Sequence, residues 1–445
     1  MIGCLRSVSI ILLAASVGCA APSSQMKRSL VRHVANGDYP AAEQIIKQGK
    51  LSDYGKRNAV LYYLDLGLVL HDAGVYRHSD EQLARAEARM EALFTKSVTK
   101  ATGTFLVSDD TQDYAGEAYE RALLYVFRAL NYVYMNDCDE ALVEARKAEE
   151  FLTELNEANA GQRVYRDDAF ARFLDGMLYE EADQMDDARI SYEAANAAYA
   201  HYATDYGMRP PPVLPVPGEL GEIASKQVGE VVFLHYNGVA PRKVSKSIQV
   251  AWDKAVVAIN ESQGDNNEHD ARVSNALQAG VRGNAITVAF PALVQDQFSI
   301  VRSEVSVAGV SESTVVMEDI AAIAKKDLKD RMATIQARTI ARAAIKFILA
   351  KVAGKAAEAK GGKVIGSLVS RGAEAAAAAT ESADTRSWTT LPAQIRVARL
   401  RVPAGIHKVT VEFKDRDGQV LAVRVFRRVM VRPGQRTFLH HRTAL

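Results

Sequence analysis

Residues 125–148, YVFRALNYVYMNDCDEALVEARKA, decide the reading of this chain. They divide into two short helical patterns around a polar turn at Met135–Asp139. Tyr125, Ala129 and Tyr132 recur at helical spacing before the turn, and Ala141, Ala145 and Ala148 after it. Residues three and four apart share a helix face. Small side chains there let two antiparallel helices approach closely, and the tyrosines fill the space between them. One such hairpin cannot bury its apolar face alone, so the reading requires neighbouring copies.

Copies are present. Leu30, Gly67 and Gly176 are equivalent to Ala129, and Ala42, Ser79 and Ala188 to Ala141. This spacing resembles the tetratricopeptide (TPR) repeat of roughly 34 residues. The array is irregular, with insertions expected at about 94–116 and about 156–166. Projecting the first helix of each pair onto the concave side gives Leu61, Leu64, Leu68, Leu123, Val126, Leu130, Phe170, Phe173 and Met177. An apolar surface of that size predicts a protein-binding groove, covered by a hydrophobic partner helix or by another part of this chain. The alternative is ordinary core between repeats.

The 445 residues suffice for two or three domains, and 48% hydrophobic with 24% charged residues is ordinary for a folded protein. A formal charge of +1 argues against a general nucleic-acid binder. The charge is unevenly spread: residues 20–209 carry 21 Lys/Arg against 32 Asp/Glu, and residues 210–445 carry 33 against 22. Halves of opposite sign attract, within one molecule or between two.

The first residues read as an export signal, with Arg6 ahead of a short apolar run at 10–15 and then Gly18-Cys19. That run is too short to span a bilayer. Small residues before Cys19 and AAPSS after it resemble the lipobox of bacterial lipoproteins, in which the cysteine becomes the acylated N-terminus. Ser16 stands where leucine is commonest, and the alternative is a plain signal peptide cut nearby. Ala20 after the cysteine implies, by that family's sorting rule, the outer membrane. Of the three cysteines, only Cys138 then remains in the mature chain, so no disulfide within the chain is expected.

Domain boundaries follow: a leader at 1–19, helical repeats at 20–207, a Pro-rich linker at 208–218 (MRPPPVLPVPG) and a β-rich part at 219–445. Clustered prolines cannot propagate a helix. Strand-type runs occur at 230–236, 248–251, 285–290, 300–307, 395–402, 407–413 and 420–431, with a hairpin turn at 415–418. A long helix over about 317–352 interrupts them, with Arg331, Arg338, Arg342 and Lys346 on a basic amphipathic pattern. Ile320, Ile323, Leu328, Met332, Ile335, Ile345, Leu349 and Val352 approximate its apolar stripe. The stripe would dock on the acidic repeats, touching Leu130 or Phe173, or lie on an anionic membrane surface. The expected fold is α+β: an N-terminal all-α TPR-like solenoid followed by a β-sandwich-like domain with a long helical insertion.

Catalytic signatures are lacking. There is no GxSxG, no HExxH and no paired-His metal spacing. His235, His407, His440 and His441 fall in or beside strands and read as structural or exposed. No catalytic residue, metal or cofactor is expected.

GEAYERALLYVFRALNYV (116–133), YRDDAFARFLDGMLYE (165–180), GEVVFLHYNGVAP (229–241), MEDIAAIAKKDLKDR (317–331) and TRSWTTLPAQIRVARL (385–400) together resemble a family of bacterial TPR-containing outer-membrane lipoproteins with no assigned activity. The resemblance implies lipid attachment at Cys19, an envelope location facing the periplasm, and envelope proteins as partners. Genes for small lipoproteins similar to penicillin-binding-protein activators often lie near those of the family, which points to cell-wall synthesis. The function expected is a scaffold or adaptor, not an enzyme. The alternatives are a cell-wall enzyme with a site of unfamiliar pattern, or a binder of a lipidic or small ligand in the groove.

Overall fold

The computed structural model describes residues 24–99, 112–158, 165, 167–212, 227–251, 285–363, 367 and 382–444. Eight helices come first: α1 (Ser24–Ala35), α2 (Tyr39–Gly49), α3 (Ala59–Asp72), α4 (Tyr76–Thr99), α5 (Ala118–Tyr134), α6 (Cys138–Ala158), α7 (Ala169–Glu181) and α8 (Met185–Asp205). They form four consecutive pairs.

All four pairs turn in the same way. Gly37, Gly74, Asn136 and Asp183 have left-handed backbone (φ 69, 78, 59 and 59°). The N–H of each donates to the carbonyl three residues back, at 3.1, 2.9, 3.0 and 3.2 Å. The next residue's N–H reaches the carbonyl five back, at 2.9, 2.9, 2.9 and 2.8 Å. This is the Schellman ending, which satisfies orphan carbonyls at a helix C-terminus and favours Gly or Asn at the left-handed position. Leu30, Gly67, Ala129 and Gly176 each lie seven residues before that position, and Ala42, Ser79, Ala141 and Ala188 five after it. The sequence register is therefore the structural one.

Helices cross closely there. A Cβ on Gly67 would come within 2.6 Å of Leu83 Cδ2, and one on Gly176 within 2.7 Å of the Tyr192 ring. Ser79 Oγ donates to Gly67 O across the first crossing at 2.7 Å.

Among the described residues the second half holds ten strands: β1 (Val228–Asn237), β2 (Arg242–Ala251), β3 (Ala285–Val294), β4 (Arg302–Val307), β5 (Val310–Ser313), β6 (Val315–Glu318), β7 (Gln394–Pro403), β8 (Gly405–Lys414), β9 (Val420–Val431) and β10 (Arg436–Thr443). Helix α9 (Ile320–Gly361) lies between β6 and β7. The sheets run β10-β1-β7-β6, β2-β3 and β5-β4-β8-β9, with β1 parallel to β10 and antiparallel to β7. Strands β5, β6 and β10 were not expected. The first two are four residues each, and RTFLHHRT in β10 has too few apolar residues to declare a strand.

The first sheet is a middle layer. Alternate side chains of a strand face opposite ways. Val232, Leu234 and Tyr236 of β1, with Ile395 and Val397 of β7, enter one core with the helices. Val231 and Phe233, with Ala398, Leu400 and Val402, enter a second core with Val305, Val409, Val411 and Phe413 of the β5-β4-β8-β9 sheet. Helix α9 packs its middle on β2–β3, where Ala341 and Ala344 meet Val250, Ile286 and Val288.

Candidate interaction site at the seam of helices and strands

The nine residues expected to line a groove are all buried, none more than 2% exposed. They share a core with β1, β7 and Trp388, so of the two covers expected it is another part of this chain that buries them. Apolar helix faces were read rightly as needing a cover; the cover is the middle sheet. Helix α9 contributes only its start, Ile320, Ile323 and Ala324. Ile335 packs with the β2–β3 cluster, and Leu349 and Val352 are 54% and 55% exposed. Docking of the long stripe against Leu130 or Phe173 is thereby corrected.

An irregular segment, residues 382–390, runs against the same helices and leads to β7. Carboxylates of the helices hold its backbone. Asp65 on α3 accepts from Thr390 N and Thr390 Oγ1, both at 3.0 Å, and from Tyr54 OH at 2.8 Å. Glu120 on α5 accepts from Trp388 N at 2.7 Å and Tyr114 OH at 2.5 Å. Lys27 Nζ donates to Thr385 O at 3.1 Å, and Arg386 Nη1 to Gln112 O at 2.6 Å. Burial pushes Asp65 up to about 6 against these hydrogen bonds, and burial with Glu117 nearby pushes Glu120 up to about 7.

The cations on α9 do not form one face. Arg331 binds Glu117 at the start of α5 at 2.7 Å and also Asp327; Arg338 is exposed, Arg342 buried and Lys346 half-buried. Lys243 on β2 pairs with Glu117 as well. Burial alone would raise the Glu117 carboxyl, but Lys243 and Arg331 outweigh it and bring it down to about 2. Cys19 lies outside the described residues, as do much of the linker and residues 252–284. Cys138 is exposed and free.

A cleft of about 530 Å³ opens where the helices meet the edges of both four-stranded sheets. Tyr39, Asp72 and Tyr76 line it from the helices, Ala422, Arg424 and Phe426 from β9, and Phe438 to Arg442 from β10. At its floor Asp72 faces Arg442 at 3.9 Å, both side chains inaccessible to solvent. Burial raises Asp72 to about 7, with Arg442 opposing. Beside it His71 is held between Asn131 Oδ1 (2.7 Å) and Tyr236 OH (3.1 Å), and burial lowers it to about 4. His440 Nε2 meets Tyr76 OH at 3.0 Å, and burial keeps it well below its usual range. Neutral imidazoles here act as hydrogen-bonding spacers. The cue available in the sequence was the pair His71-Asp72 ending the otherwise apolar run AVLYYLDLGLVL.

Strand β9 forms one wall of this cleft and is the edge of its sheet. Register with β8 places Ala422, Arg424 and Phe426 opposite Phe413, Val411 and Val409, on the cleft side. Val423 and Val425 lie opposite Glu412 and Thr410, on the outer side. Val420, Leu421, Val423 and Val425 are between 40% and 55% exposed. Arg424 lies over the Phe426 ring at 5.4 Å.

Among the described residues no group of His, Cys, Asp and Glu could hold a metal, and no helix is long and apolar enough to cross a membrane. No protein-family model matches the chain, and no curated protein matches it.

Proposed function

We propose that this chain is a scaffold or adaptor of the bacterial cell envelope, anchored to the outer membrane by a lipid on Cys19 and facing the periplasm. The helical half is a TPR-like solenoid, and the strands form a β-sandwich-like domain split by α9. One observation carries the reading: four hairpins repeat one turn, and carboxylates on two of them hold an irregular segment of chain by its backbone. That is how a repeat array holds protein, and here the segment is the chain's own. The groove thus builds a rigid platform, and partners dock on other surfaces. Partners are envelope proteins, with cell-wall synthesis the process that the family resemblance favours.

An enzyme would need convergent carboxylates in an open cleft. Burial raises both Asp168 and Glu318, with Asp168 adding to the rise of Glu318, yet the two sit in closed core with Tyr165 and Tyr202. The cleft beside β9 and β10 presents one carboxylate, Asp72. A second cleft, of about 1250 Å³, is lined by Asp113, Glu117, Asp327, Asp330 and Asp384, and the last four are engaged by Lys243, Arg331, Lys326 and Arg386. A lipidic ligand in the groove would have to displace the middle sheet.

The test is crosslinking in intact cells followed by recovery of the chain from membranes. Mass spectrometry of the mature N-terminus should find acylated Cys19, and Cys19→Ser should release the chain from membranes while leaving its crosslinked partners unchanged in extracts. A free N-terminus elsewhere ends the anchor; recovery of the chain alone, without protein partners, ends the scaffold.

A further inference from the structure

Strand β9 is unusual for an edge. Twelve residues long, it pairs with β8 on one side and with no strand on the other among the described residues. An unpaired edge offers backbone N–H and C=O groups to any extended chain, and proteins commonly blunt it with charge. Arg424, Arg427 and Arg428 provide charge, but exposed Val420, Leu421, Val423 and Val425 do not fit simple protection. An arginine set among exposed apolar side chains on an open edge instead describes a receptor for a strand.

We infer that the free edge of β9 over Val420–Phe426 receives an extended peptide of an envelope partner, one that alternates acidic and apolar residues. This rests on the scaffold reading. An added strand projects alternate side chains to the two faces of the sheet. One set enters the cleft beside Ala422, Arg424 and Phe426, where Arg424 stands over Phe426 and near His441. Carboxylates suit those positions, because Arg424 is an exposed guanidinium whose fork pairs with them. The other set lies along Val423 and Val425, with Ile406 and Met430 continuing the apolar outer face. Apolar residues suit these.

Charge also selects among occupants. Residues 420–431 contain three arginines and no Asp or Glu. A second copy pairing edge to edge would gather the arginines of both strands into one ladder with no counter-charge, and like charges across a ladder destabilise it. An acidic peptide neutralises the same arginines.

The experiment titrates the full chain with a fluorescent synthetic peptide of about eight residues that alternates Glu and Val, using a Lys-for-Glu peptide as control. Hydrogen exchange is followed across the chain. The expected result is saturable binding of the Glu peptide alone, protection of the 420–426 amides, and affinity at least about tenfold weaker in Arg424→Glu with an unchanged melting temperature. A second variant, Val423→Lys, should weaken binding independently. Equal binding of both peptides, no protection at saturation, or protection elsewhere overturns the proposal. So does concentration-dependent dimerisation that protects β9 without peptide, which would make a second copy the occupant. If Arg424→Glu still recovers the same crosslinked partners from membranes, the scaffold reading stands and this edge is not its docking site.

Discussion

The carboxylate of Asp65 on α3 holds both the backbone N–H and the hydroxyl of Thr390, each at 3.0 Å, across 325 residues of chain. Glu120 on α5 repeats the device on Trp388 N at 2.7 Å. Two successive repeats thus grip one irregular segment, and the two halves of the chain are joined through it.

Removing this grip leaves buried donors without acceptors. Asp65→Ala strands Thr390 N–H, the Thr390 hydroxyl and the Tyr54 hydroxyl in a site that water does not reach. Each such donor costs about 1–3 kcal/mol. Chemical denaturation should show Asp65→Ala losing on the order of 3 kcal/mol, Asp65→Asn much less, because an amide oxygen still accepts from Thr390. Equal losses in both variants would mean that the charge, not the acceptor geometry, matters.

The helix crossings give the second prediction. Gly67→Leu must displace Leu83, and Gly176→Leu must displace Tyr192, since even a Cβ at either site lies well inside van der Waals contact. Overpacking typically costs ~1–3 kcal/mol. Both variants, and Ala129→Leu at the equivalent buried crossing, should melt clearly lower than the parent. Unchanged melting of all three would show that the crossings have slack.

These crossings were legible in the sequence because the same turn recurs in all four hairpins, with Gly67, Ala129 and Gly176 at one fixed offset in three of them and Ala42, Ser79, Ala141 and Ala188 at another in all four. What covers the hairpins was not. Leu61, Val126 and Phe173 announce a face that must be buried, but an apolar side chain does not name its partner. The pointer was in β1: EVVFLHYN is buried along nearly its whole length, because one face meets helices and the other a second sheet. A strand with no polar face belongs in a middle layer. The stripe on α9 misled for a related reason. Its 42 residues outrun a single docking surface, so Ile320 packs with the helices, Ile335 with β2–β3, and Leu349 is largely exposed. The seam cleft draws on seven elements from both ends of the chain, and no local pattern could gather Asp72, Arg424 and Arg442.

Asp72 should make stability depend on pH. Its carboxyl is raised to about 7 in the fold against an ordinary 3.8, with Arg442, Tyr39 and Tyr76 around it and His71 and His440 neutral beside it. A raised carboxyl means that the folded state binds the proton more tightly, so its contribution is present at acid pH and lost as pH rises from about 4 to about 7. His71, lowered to about 4, acts in the opposite sense: its contribution is lost as pH falls from about 6.5 towards 4. Asp72→Asn isolates the first effect. The variant should gain on the parent as melting is measured from about pH 4.5 to about pH 7.5. A gap that instead favours the parent increasingly towards high pH would show the buried carboxylate to be stabilised by Arg442.

Glu117 provides the counterpart. It stands at the start of α5, where Lys243 from β2 and Arg331 from α9 converge, so three separate elements meet on one carboxylate. Its pKa, brought down to about 2 by those cations against burial, places its contribution above about pH 4.5 and its loss below that, towards pH 2. Glu117→Gln at neutral pH takes away the carboxylate shared by Lys243 and Arg331, leaving Asp327 beside Arg331 and Asp384 and Glu120 near Lys243. Breaking a buried pair by removing one member costs about 3–5 kcal/mol. The Lys243 and Glu117 side chains are largely withdrawn from solvent, so the loss should change little between low and high salt, unlike that of a surface pair. The hydrogen-exchange signature should also be local: amides of β2 and of the α9 segment near Arg331 should lose protection before those of α3 or α7. Uniform loss across the chain, or a cost that salt removes, would show that Glu117 is a solvated surface charge and not the point that ties β2 and α9 to the helices.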